Sequence, residues 1–167
     1  PIEIGIGLHS GNLMLGTIGE EERMEGTVIS DAVNMASRLE GLTKFYSAQI
    51  ILSQQTLEHL KDKTRYNYRF LGKVQVKGKK ESVSVFECFD GELDEVVKIK
   101  TETKGEFEEG LKSYYNREFV EASGHFKKVL KANPNDKPAK LYLERSAQFT
   151  VNEPPPDWEG IEILDSK

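Results

Sequence analysis

Chemical capacity is concentrated in two short stretches. The first is "SDAVNMASRLEG", residues 30–41, where Asn34 and Arg38 stand four positions apart. On an α-helix that spacing puts both side chains on one face. The second is "VKGKKE", residues 76–81, which gathers Lys77, Lys79 and Lys80 around Gly78. Arginine offers a planar fork of donors that fits a phosphoryl oxygen, and lysine a mobile point charge that suits an oligophosphate. Taken alone, the helix pair reads first as a solvated helix face and the lysine turn first as a protected sheet edge.

These groups need elements to hold them. Ser30 is suited to cap a helix and Gly41 to end it, with Ala32, Val33, Ala36 and Leu39 on the packed side. Before that helix, residues 2–8 alternate like a strand, "LMLGTIG" is apolar and broken by glycines, and "GTVI" is β-branched. After it, "AQIILS" predicts a strand, "QQTLEHLKD" a short helix, and residues 68–89 a hairpin around the lysine/glycine turn. The order predicts an α+β domain over 1–89 with a mostly antiparallel sheet.

Residues 90–104 are charged and lose the apolar pattern apart from "VVKI", which predicts a linker. Helical spacing resumes over roughly 105–116 and 119–132, with a third helix near 137–148. Gly110, Ala122, Phe126 and Pro134 fall at offsets resembling a tetratricopeptide-type helix pair. Residues 105–149 are therefore expected to form a small helical extension. The tail over 150–167 contains "PPP" and is expected to be an extended strap, with Trp158 available to dock on the helices.

Composition narrows the classes. The chain has 167 residues, 37% hydrophobic and 31% charged, and a formal net charge of -5, which argues against a dedicated nucleic-acid binder. The single cysteine, Cys88, leaves no internal disulfide, and there is no secretory signal or apolar span of about eighteen residues, so a cytoplasmic setting is expected. A chain that opens on proline, inside an alternating run, reads as a piece of something longer. Any membrane attachment would come from upstream segments. Glycines at 5, 7 and 11 lack the interval and the following helix of a dinucleotide loop. His9, His59 and His125 are scattered, so no metal-ligand cluster is visible in this chain, and neither is a serine elbow or a Cys/His pair.

Taken in order, "IGIGLHSGNLMLGTIG", "RMEGTVISDAVNMASRLE", "IILS" and "VKGKKESVSVFEC" resemble the C-terminal half of the class III adenylate/guanylate cyclase catalytic domain, over about residues 2–89. The helical tail with "PPPDWEG" is similar to an extension found on some bacterial cyclases. The resemblance implies the C-terminal half of a ferredoxin-like nucleotidyl cyclase domain. It implies cyclisation of ATP to cyclic AMP and pyrophosphate, with Mg2+ or Mn2+, at a site shared head to tail by a homodimer.

On this match Asn34 would orient the ribose and Arg38 would stabilise charge on the α-phosphoryl group. Lys77 would hold the terminal phosphates with Lys79 as helper, and Thr27 would read the base as an adenine-selective variant. The two metal-binding aspartates belong to the family's first half, which this chain lacks, so the chain alone is expected to be inactive and its exposed sheet edge to drive self-association. Gly26 and Ser30 depart from the family's pattern and motivate a second reading, a non-catalytic dimerisation or regulatory module. A guanylate cyclase is a third.

Overall fold

A computed structural model describes residues 4–18, 25–29, 31–76 and 81–164. Two sheets and five α-helices follow one another as β1 (Ile6–Leu8), β2 (Met14–Ile18), β3 (Glu25–Ile29), α1 (Asp31–Tyr46), β4 (Ile50–Ser53), α2 (Gln54–His59), β5 (Tyr68–Val76), β6 (Ser82–Cys88), α3 (Asp94–Tyr115), α4 (Phe119–Ala132), α5 (Lys137–Val151) and β7 (Glu162–Leu164).

The larger sheet runs β1-β4-β6-β5-β7, and β2 and β3 form a separate antiparallel pair. The sheet is mixed: antiparallel pairing joins its three central strands, and each end strand pairs in parallel. β1 pairs with β4 in parallel and so does β5 with β7, whereas β4–β6 and β5–β6 are antiparallel. The reason is connectivity. β1 reaches β4 through the crossover helix α1, a route that yields parallel neighbours, and β7 returns to β5 only after three helices. The hairpin β5–β6 keeps the alternation read from the sequence, with Val83, Val85 and Glu87 buried and their neighbours less so.

Three local expectations also change. Gly41 does not stop α1, because Leu42 and Tyr46 extend its buried face, and the helix ends instead at Ser47, whose φ is 50°. There the Ala48 N–H donates to the Thr43 carbonyl at 3.0 Å, a left-handed cap made without glycine. Val33, expected on the packed side, is exposed. Residues 94–104, expected as part of an unpatterned linker, are helical, since α3 begins at Asp94 and runs for 22 residues.

One core joins the sheet to the helices. Leu39, Leu42 and Tyr46 of α1 belong to the same buried cluster as Leu71, Val85, Phe107, Phe126 and Tyr142. Beneath it lies a network of buried charge. Arg69 of β5 donates through Nε to Glu87 of β6, and bidentately to Asp136 at 2.8 and 3.0 Å. Lys100 of α3 closes on the same Glu87 at 3.0 Å and on Glu92 at 2.7 Å. Asp136 also caps α5, accepting from the Ala139 N–H at 3.0 Å. Every charge in the network has an opposite partner, the condition under which burial of ions is tolerated.

The tail crosses the helices as an extended segment. Trp158 meets Tyr114, Phe119 and Phe149 with ring centroids 5.1, 5.6 and 5.2 Å away. Arg117 donates to the Pro155 carbonyl at 2.9 Å, and β7 then joins the sheet beside Val74–Val76. Among the described residues no helix is long and apolar enough to cross a membrane.

Candidate active site

The site helix is fixed from below and from its C-terminal end. Met35, Leu39, Leu42 and Tyr46 recur at helical spacing and face the core. β1 passes so close beneath α1 that a Cβ on Gly7 would lie 2.3 Å from both the Ala36 carbonyl oxygen and the Glu40 amide nitrogen. Only glycine allows that approach, and the contact brackets Arg38 on either side. At the far end Lys137 of α5 donates to the Lys44 carbonyl at 2.9 Å, placing a cation on the helix terminus where the dipole favours it.

On this helix Asn34 is exposed and Arg38 is half-buried. Arg38 lines an open groove of about 240 Å³, with Ser37, Gly41, Leu42 and Phe45 as its α1 side. Glu162 and Leu164 of β7 form the opposite wall. The Glu162 carboxylate accepts from Arg145 of α5 at 2.6 Å. Burial alone would make the Arg145 guanidinium easier to deprotonate, but the hydrogen bond and charge of Glu162 outweigh that and raise its pKa.

The structure brings Asn34 and Arg38 together on α1. Thr27 lies in β3 opposite Gly16, on the separate hairpin. Lys77 and Lys79 lie outside the described residues. Glu162 and Arg145 were not singled out from the sequence, because their pairing depends on β7 returning to the sheet. The one available signal was the alternation in "GIEIL" after the prolines.

His9 and Cys88 lie outside the groove. His9 stands 2.9 Å from the Ser53 hydroxyl, tying the end of β1 to β4, and burial lowers its pKa so that the ring is neutral near pH 7. Burial pushes the Cys88 thiol up to about 11, which leaves it protonated and a poor nucleophile. Among the described residues no three His, Cys, Asp or Glu side chains gather to hold a metal ion. The described residues therefore offer no ligand set for the Mg2+ or Mn2+ that the resemblance implies, and no metal-dependent step is assigned to them.

The family model described as the adenylate and guanylate cyclase catalytic domain matches residues 1–88. The chain belongs to that family. An adenylate cyclase of Dictyostelium discoideum, terminal-differentiation specific, is 35% identical to this cyclase-family chain over 148 residues, covering 88% of the chain and 7% of that protein. An adenylate cyclase of Anabaena cylindrica is 44% identical over 87 residues, covering 52% and 17%. The crystal structure of the adenylyl cyclase CyaB from P. aeruginosa aligns at 31% identity and a TM-score of 0.45, over 56% of this chain and 46% of that one. The chain thus spans only a small part of the curated relatives it matches. A match of 148 residues cannot fit within 1–88, so the likeness to the Dictyostelium cyclase continues into the helical extension.

Proposed function

We propose that this chain supplies the ribose- and phosphate-contacting half of an adenylate cyclase site. The observation that carries the proposal is the placement of Arg38 in an open groove, on a helix pinned against β1 by Gly7, with Asn34 exposed on the same helix. The curated relatives are adenylate cyclases, which favours ATP as the substrate.

In the reaction the ribose 3'-hydroxyl attacks the α-phosphorus in line and pyrophosphate leaves. Asn34 holds the ribose so that the hydroxyl is aligned, and Arg38 directs its guanidinium at the charge that develops on the α-phosphoryl oxygens. Such a donor, fixed before the reaction and shielded from water, contributes more to the transition state than to the ground state. Lys77 and Lys79 hold the terminal phosphates and Thr27 contacts the base. The metal-binding aspartates come from the first half of the catalytic domain, on the partner protomer in a head-to-tail dimer, so this chain by itself is inactive in the cytoplasm-like setting its composition suits. Among the described residues β1 is an end strand of the sheet, with Ile6 and Leu8 each 43% exposed, and this edge is where strands of the aspartate-bearing half would pair.

The test is Arg38→Ala in the completed dimer, assayed for cyclic nucleotide from ATP and from GTP. Turnover of ATP falls roughly a hundredfold or more, the scale of losing one transition-state donor. Unchanged turnover refutes the role of Arg38, and faster turnover of GTP than ATP reassigns the base.

A further inference from the structure

The groove at Arg38 has one wall that the catalytic half does not supply. Glu162 and Leu164 belong to β7, which reaches the groove only because the strap is anchored at Trp158 and Arg117 and then pairs with β5 at Val74↔Glu162 and Val76↔Leu164. A free carboxylate in that wall would do one of two harmful things. It would attract Arg38 away from substrate, or it would repel a polyanion entering the groove. Glu162 is not free, because Arg145, projecting from α5, holds it at 2.6 Å with both side chains about a quarter exposed (27% and 26%).

We propose that β7 forms a wall of the substrate groove, and that Arg145 is a positioning residue whose ion pair with Glu162 keeps that wall neutral toward the triphosphate. This rests on the reading of Arg38 as a phosphate contact. It makes the helical extension part of the substrate site, with α5 acting through a single ion pair on the charge that ATP meets. It also explains why a strap of this length returns to the sheet at the groove.

The test compares Arg145→Ala, Glu162→Gln, the double variant and Arg145→Lys in the completed cyclase dimer, with Mg-ATP as substrate and thermal unfolding as the check on folding. Arg145→Ala exposes the Glu162 charge and raises KM for ATP by roughly three- to tenfold, with kcat within about twofold, and the increase shrinks as salt is added. Adding Glu162→Gln removes the charge and returns KM to within about twofold of wild type. Arg145→Lys keeps the partner and holds KM within the same limit.

A double variant as impaired as Arg145→Ala, or a KM increase indifferent to salt, overturns the inference. If Arg145→Ala fails to fold, Glu162→Gln alone decides: it leaves the Arg145 cation facing the triphosphate, so a KM below wild type that returns toward it as salt is added supports the inference, and an unchanged or raised KM overturns it. A costly Arg38→Ala beside a silent Arg145→Ala rejects this inference alone, whereas a silent Arg38→Ala rejects the groove as a phosphate site and the inference with it.

Discussion

The helix that carries Asn34 and Arg38 and the helices that follow Asp94 are built to opposite rules. α1 buries one narrow stripe and presents Asn34 and Val33 to solvent, and the strand beneath it keeps Ile6 and Leu8 partly uncovered. In α3–α5 the buried positions are large and interlocked: Phe107, Phe126 and Tyr142 meet one another with centroids 5.6 to 6.4 Å apart. The first region exposes polar groups and apolar edges that a partner or substrate can cover. The second places most of its aromatic surface in the core. The lesson is a division of labour across a shared core, in which the extension stabilises and aims the helix that carries the proposed site residues.

That contrast is broken most severely at its joint. Arg69→Ala leaves Asp136 buried without its counter-ion and Glu87 with Lys100 alone, so the protein is expected to lose about 3–5 kcal/mol in a urea titration. A loss below about 1 kcal/mol would mean that the ion network does not hold the two regions together. Within the extension, Gly110→Ala would place a Cβ 2.9 Å from the Phe126 ring, and the expected cost is about 1–3 kcal/mol by the same titration. A neutral result would show that the helix pair is looser than its close approach implies. On the functional face the effect reverses: Asn34→Ala changes stability by less than about 0.5 kcal/mol because the side chain is exposed, while it lowers turnover in the completed dimer. Equal stability losses on both faces would erase the distinction.

Much of the fold was legible where a pattern is local. The alternation over 82–88 and the helical spacing over 119–132 both rest on neighbouring residues. The start of α3 was missed because one of its buried positions is Lys100, and a lysine in a core is legible only with Glu87 and Glu92 beside it. Gly41 misled for the complementary reason: tertiary burial of Leu42 and Tyr46 carried the helix past a residue that disfavours it. Spacing put Asn34 and Arg38 on one helix face and the family resemblance singled them out, but the groove was not legible, since Glu162 arrives from more than a hundred residues away.

The central claim, that this chain donates Arg38 to a site completed by another half-domain, is tested most directly by complementation. The chain and the aspartate-bearing half of the catalytic domain are prepared separately, then mixed with Mg-ATP and assayed for cyclic AMP. The account predicts no product from either alone, product from the mixture, and at least about a hundredfold less from the mixture containing Arg38→Ala. Full activity with Arg38→Ala, or cyclic AMP from this chain alone, would contradict it.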